Sequence, residues 1–165
     1  MTNKKYFIGN WKMFGDINSF KIVNKINQFS LKSLKHKNAK ITLCIPNTLI
    51  QLFKNKLGKS KSNRSISLGA QNCHYSQTYG PYTGFVNASM LRKAGADFVI
   101  LGHSENRHEG ETNNLIKKKI ESSLNQKLNI IFCIGETLKE KNKGKTFYVL
   151  KKQIKDSLKK NYNIN

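Results

Sequence analysis

The sequence has no apolar run approaching the roughly 18 residues that a bilayer-spanning helix needs. Met1-Thr2-Asn3-Lys4-Lys5 leads straight into a strand pattern, without the apolar stretch of a secretory signal. These absences argue against a membrane partner and make the cytoplasm the expected compartment. Cysteine is sparse: Cys44, Cys73 and Cys133 are odd in number, scattered and without metal-ligand spacing. No disulfide framework and no metal site are implied, and the two thiols in apolar runs read as small hydrophobes. Arginine is scarce too, with only Arg64, Arg92 and Arg107 among 30 basic residues. A surface that tracks nucleic-acid phosphates usually mixes in arginine for its bidentate fork and aromatics for stacking. No Gly-x-Gly-x-x-Gly follows the first strand pattern, and neither a Walker sequence nor an acidic ribose ligand in register occurs. The dinucleotide and P-loop readings lose their support, and no solenoid repeat is present.

Lysine supplies the rest of the basic residues against nine acids, for a formal net charge of +21 and a pI of about 10.0. Such a balance is the footprint of a nucleic-acid binder. Here, however, the lysines spread over the polar faces of nearly every helix pattern, alongside twenty asparagines. The composition reads as drift towards A/T-rich codons, with a solvated basic surface as its result and no nucleic-acid partner expected. Its positive field would help attract a small anionic substrate. With 165 residues, 38% of them hydrophobic, nine Phe and six Tyr, the chain is long and apolar enough for one domain, residues 1–165, with a substantial core.

Along the chain, Tyr6 to Trp11 reads as a strand, and Phe20, Val23, Ile26 and Phe29 as the apolar stripe of a helix. Ala39 to Ile45 is the next strand, stopped by Pro46. Thr48 is the expected N-cap of a helix with stripe Leu49, Leu52, Phe53 and Leu57, ending at Gly58. Residues 59–65 read as an exposed loop, and Ile66 to Asn72 as a third strand. A long loop, Cys73 to Asn87, follows, then a short helix, Ser89 to Ala94, with Gly95 behind it. After a fourth strand at Phe98 to Leu101, Thr112 should cap a helix with stripe Ile116, Ile120, Leu124 and Leu128, its Lys117 to Lys119 facing water. Asn129 to Ile134 is strand five; Phe147, Leu150, Ile154 and Leu158 form the last stripe, before a polar end at Asn161 to Asn165. Strict alternation of continuous apolar strands with helices implies an α/β fold with a parallel sheet and right-handed crossovers.

The strand tips carry the chemistry. Phe98-Val99-Ile100-Leu101 ends in Gly102-His103-Ser104-Glu105. In parallel α/β folds, substrates meet the protein at such tips, so His103 and Glu105 are site candidates. A core strand followed by a helix N-cap would explain the same spacing. A second polar tip, Gly9-Asn10-Trp11-Lys12-Met13, favours the functional reading.

Taken with Ala70-Gln71-Asn72, Tyr82-Thr83-Gly84 and Cys133-Ile134-Gly135-Glu136-Thr137, these tips resemble the triosephosphate isomerase family in order and spacing over the whole chain. The resemblance implies a (β/α)8 TIM barrel, of which about five βα units are present, and an aldose-ketose isomerase of glycolysis and gluconeogenesis that needs no cofactor. Its substrate would be a small phosphorylated triose, dihydroxyacetone phosphate or glyceraldehyde 3-phosphate. It further implies that Lys12 sits against the phosphate and the developing enediolate oxygen, and that Asn10 orients substrate. His103 would be the neutral electrophile, and Glu105 would hold Lys12. The loop with Tyr82, Thr83 and Gly84 would be the dimer loop of a homodimer. The family commonly has an acid at Phe85 and an arginine at Asn106; both are replaced here, which avoids an unpaired buried charge.

A barrel of this type takes eight strands and about 250 residues. The Tyr-Glu-Pro stretch with the catalytic glutamate, the lid after it and the later phosphate loops have no counterpart in these 165 residues. The chain by itself is therefore expected to have little activity. A piece of a longer enzyme, one half of a split enzyme, a non-catalytic relative and a basic nucleic-acid-binding protein on the same fold are the readings left open.

Overall fold

The computed structural model of the chain describes residues 5–33, 38–58 and 65–159. Strands β1 (Lys5–Asn10), β2 (Ala39–Cys44), β3 (Ile66–Ala70), β4 (Phe98–Leu101) and β5 (Asn129–Phe132) alternate with helices. These are α1 (Phe20–Ser33), α2 (Asn47–Leu57), α3 (Ala88–Ala94), the pair α4 (Ser104–His108) and α5 (Asn113–Asn125), and the pair α6 (Leu138–Asn142) and α7 (Thr146–Ser157). Neighbouring strands are all parallel, in the order β1-β2-β3-β4-β5. A crossover of constant hand at every step curls the sheet one way. The Tyr6 ring on β1 stands edge-on to Phe98 on β4, centroids 6.4 Å apart, although two strands lie between them. A flat sheet would hold β1 and β4 about 14 Å apart. The architecture is a curled half-barrel with its helices outside, as the alternation predicts.

The core lies between the sheet and those helices. Leu43, Ile66, Leu68, Val99 and Leu101 meet Val23, Ile50, Phe53, Leu91, Ile116 and Ile120, all buried. Within the curl, Lys40 Nζ lies 4.7 Å from the Phe98 ring centre, a cation–π contact. The two outer strands each have one partner. On β1, Phe7 and Ile8 point to opposite faces, yet are 56% and 43% exposed, so that edge is uncovered on both sides.

Several expectations are corrected. Strands β1, β2, β3 and β5 end one or two residues before the expected runs do. Ile45 N–H donates to Gly69 O at 3.0 Å and Cys133 N–H to Leu101 O at 2.9 Å; these are the closing bonds of their ladders, and the tips begin beyond them. Thr48 is not a cap. Helix α2 starts at Asn47 behind Pro46, whose fixed φ of −51° sets the entry without a side-chain hydrogen bond. Phe29 is exposed, while Asn27 and Ser30 are buried on α1; Asn27 Oδ1 accepts from the Ser65 amide at 3.0 Å. On α7 the packed residues are Gln153 and Ser157, and Phe147 faces solvent. Leu124 and Ile154 border the uncovered side of β5. The expected loop at 59–65, apart from Ser65, and the end at 161–165 lie outside the described residues.

Lys119 does not face water either. It is buried, donating to Glu111 Oε1 and, at 2.9 Å, to Asn72 Oδ1. Glu111 Oε2 has no hydrogen-bond partner among the described residues. Removing one member of such a pair strands the other charge. The change Lys119→Met should cost about 3–5 kcal/mol, and Lys119→Met with Glu111→Leu should recover most of it. Urea-denaturation midpoints of the two variants would show equal losses if the pair were unimportant.

Candidate active site

Two tips converge at the C-terminal rim of the sheet. At β1 the chain turns through Lys12, which holds φ at +52°, the left-handed region that a side chain normally avoids. Three contacts fix it there. The Lys12 N–H donates to Asn10 Oδ1 at 2.9 Å, and Gln71 Nε2 donates to Lys12 O at 2.8 Å and to Cys44 O at 3.1 Å. The Trp11 N–H also donates to Cys44 O at 2.9 Å. One amide from β3's end thus ties the β1 and β2 tips together. A strained backbone at a polar strand tip is the arrangement that held geometry produces.

At β4, Gly102 has φ +74°, and a Cβ there would lie 2.9 Å from Cys133 O. Only glycine fits where the β4 and β5 tips come this close. His103 then caps α4: its Nδ1 accepts the Glu105 N–H at 3.3 Å. Glu105 Oε2 lies 3.4 Å from the same nitrogen, but it could bond there only to a protonated Nδ1. The amide always carries its hydrogen, so it sets the tautomer. With Nδ1 accepting, Nε2 is the ring nitrogen turned to donate its N–H.

Glu105 joins the tips. Lys12 Nζ donates to Glu105 Oε1 at 2.7 Å, with both side chains about half exposed. The hydrogen bond and charge of Lys12, with His103 nearby, hold the Glu105 carboxyl below the usual range. A cleft of about 830 Å³ is lined by Asn10, Lys12, Gln71, His103, Glu105 and Asn106, among others. Four of the expected residues, Asn10, Lys12, His103 and Glu105, therefore share one cavity. Tyr82, Thr83 and Gly84 do not line it. They form the turn of the long loop, where the His74 ring lies 4.3 Å from Tyr75, 4.4 Å from Tyr82 and 4.9 Å from Phe85. Burial in that aromatic group, then Lys119, pushes the His74 pKa down.

The residues that sequence reasoning left without a role are the clamps. Gln71 is one. Arg107 is the other: Nε donates to Gly102 O at 2.8 Å, Nη1 to Asn113 Oδ1 at 2.7 Å and Nη2 to Cys133 O at 3.4 Å. Its signal was its residue type, an arginine next to a strand tip in a chain that otherwise uses lysine. Cys44, beside this rim, is buried, and desolvation pushes its thiol up to about 12. It packs as a neutral side chain. Among the described residues, no group of three or more His, Cys, Asp or Glu could hold a metal, and no helix is long and apolar enough to cross a membrane.

The family model for triosephosphate isomerase matches residues 5–164. The chain belongs to the triosephosphate isomerase family. A triosephosphate isomerase of Wolbachia sp. subsp. Brugia malayi is 43% identical over 112 residues, 68% of this chain and 43% of that protein. One from Taenia solium is 38% identical over 121 residues, 73% of this chain and 45% of the relative. The crystal structure of triosephosphate isomerase from Bartonella henselae matches with a TM-score of 0.88 at 34% identity, over 97% of this chain and 64% of that one. The matches thus span less than half the length of the curated relatives and about two thirds of the solved triosephosphate isomerase. The half-barrel is accordingly five βα units of that family's TIM barrel.

The ion pair between the tips can be read directly. In Lys12→Met, the Glu105 carboxyl loses the hydrogen bond and charge that favour its ionised form, so its titration midpoint should rise towards the ordinary glutamate value. Side-chain carboxyl NMR would detect this; an unmoved midpoint would mean that Lys12 and Glu105 do not pair in solution.

Proposed function

We propose that this chain carries the electrophilic half of a triosephosphate isomerase site, for interconversion of dihydroxyacetone phosphate and glyceraldehyde 3-phosphate. The observation behind this reading is the ammonium of Lys12 and the imidazole of His103, on separate strand tips but open to one cleft and bridged by Glu105. Abstraction of a proton from the carbon next to a carbonyl leaves an electron pair that becomes the new C=C bond, with negative charge on oxygen. A fixed cation and an N–H donor aimed at that oxygen stabilise it more in the transition state than in the substrate. Lys12 supplies the cation and also faces the substrate phosphate. His103 supplies the Nε2–H, and Asn10 orients substrate while holding the Lys12 turn. Reprotonation at the neighbouring carbon completes the isomerisation without a cofactor.

By resemblance to the family, the base that takes the proton is the glutamate of the Tyr-Glu-Pro stretch, which has no counterpart in residues 1–165. A positioned general base contributes about 10²–10⁴ in rate. A polypeptide of these 165 residues alone should therefore fall short of family-typical turnover by at least that factor. In any form of this protein that shows isomerase turnover, Lys12→Met should lower kcat/KM by more than about 10², and His103→Gln should lower kcat with KM little changed. A coupled assay in which neither change matters would refute the assignment.

The loop at 73–87 is proposed as the contact of a homodimer, with Thr83 directed to the partner's site. Phe85 is 63% exposed in the single chain, as an interface side chain would be. With Asn106 in place of the family's arginine, an acid at 85 would be buried without a partner. Sedimentation equilibrium of Phe85→Asp should show dissociation strengthened by at least about tenfold; a dimer as tight as before would reject this contact.

A further inference from the structure

The corner formed by α6, the turn at residues 143–145 and α7 combines exposed apolar side chains with an excess of lysine over acids. Leu138 is 74% exposed at the start of α6, and Phe147 and Tyr148 are 88% and 66% exposed in the first turn of α7. Single exposed apolar residues are ordinary. These three share the corner with Lys139, Lys141, Lys143 and Lys145 before α7, and with Lys151, Lys152 and Lys155 along it.

The helix geometry orders them. Gln153 and Ser157 mark the packed side of α7, so Tyr148, Lys151 and Lys155 come round on the opposite side, with Phe147 one turn from Lys151. The two acids in this stretch are turned to other work. Glu140 accepts from the Thr137 amide and hydroxyl, both at 2.8 Å, and Asp156 accepts from Asn113 Nδ2 at 3.3 Å. Among the described residues, none of the seven lysines forms a salt bridge. Lysine is abundant throughout the chain, so charge alone decides nothing. On α1, exposed Ile22 and Phe29 also stand among Lys21, Lys25 and Lys32; this corner differs in having two adjacent exposed aromatics, Phe147 and Tyr148, at the head of its lysine stripe.

We propose that this corner docks on an anionic bilayer surface, with the lysines at the lipid headgroups and Leu138, Phe147 and Tyr148 entering the boundary between headgroups and acyl chains. Helices with basic and aromatic faces lie in that boundary, and clusters of four to eight lysines recognise anionic lipid as point charges, needing no arginine fork. Nucleic acid fits the same corner poorly. Leu138 offers no π-face for a base, and none of the seven basic residues is an arginine, whose bidentate fork a phosphate-tracking surface uses. The docking is peripheral and is independent of the isomerase reading.

The test is co-sedimentation of the full chain with vesicles of phosphatidylcholine alone and of phosphatidylcholine mixed with phosphatidylglycerol. Binding is expected on the mixed vesicles only, falling as salt is raised. The pair Phe147→Ser and Tyr148→Ser, both exposed and so compatible with folding, should weaken partition about tenfold. The pair Lys151→Glu and Lys155→Glu should weaken it at least as much. The control pair Lys21→Glu and Lys25→Glu on α1, with the same change in net charge, should leave it unchanged. In Phe147→Trp, the emission added by the new indole should shift to shorter wavelength with the mixed vesicles. Equal loss in the α1 control would reduce the effect to bulk charge and overturn the proposal. So would an unshifted emission in Phe147→Trp, or an aromatic pair needed for a single-stranded oligonucleotide but not for vesicles.

Discussion

Parallel pairing of each strand with the next one in the chain constrains everything else in the molecule. Because no strand is skipped and every crossover turns the same way, all five strands end on one rim. Polar residues placed just past the strands are then gathered at that rim, however far apart they lie in sequence. Lys12 and His103 are separated by most of the described chain and still open into one cleft. The same constraint produces the curl, and the curl brings Tyr6 to Phe98. A doubly wound sheet of the same elements would have put helices on both faces and kept those two strands apart.

Convergence of strands does not by itself position side chains to a fraction of an ångström. Two polar groups do that work. Gln71 draws on carbonyls from the β1 and β2 tips, and Arg107 on carbonyls from the β4 and β5 tips. Both satisfy backbone acceptors beyond the ladder, Lys12 O for Gln71 and Gly102 O with Cys133 O for Arg107, where an unpaired carbonyl would be costly. Lys12 can hold a left-handed backbone because its own amide and carbonyl are both taken. The cost of that conformation, about 1–2 kcal/mol, is met by contacts that also aim the ammonium at Glu105.

The alternation of elements, the parallel sheet and the grouping of Asn10, Lys12, His103 and Glu105 were legible because each rests on local pattern: an apolar run, a glycine, then polar residues. What was not legible depends on partners distant in sequence. Lys119 is indistinguishable from Lys117 and Lys118 until Glu111 and Asn72 are seen around it. Gln153 displaces the apolar stripe of α7 from the packed side because it bonds the Gly135 N–H and C=O, at 3.0 and 2.8 Å. Thr48 lost its expected role to Pro46 next to the same helix start. One miss was avoidable: Thr137 and Glu140 form a capping box, and that spacing announces a helix start at α6.

In the 165-residue chain taken alone, the edge of β1 that the described residues leave uncovered has a colloidal consequence. A bare strand edge is a template for another copy's edge, and an apolar one invites stacking. Two copies of this chain approaching edge to edge must first bring together bodies of formal charge +21 each. At low ionic strength that repulsion acts beyond the range of backbone hydrogen bonds, and it slows encounter without altering what happens on contact. For these 165 residues by themselves, the lysine-rich surface slows edge-to-edge encounter, and salt, by shortening the reach of those charges, is the condition that removes that brake.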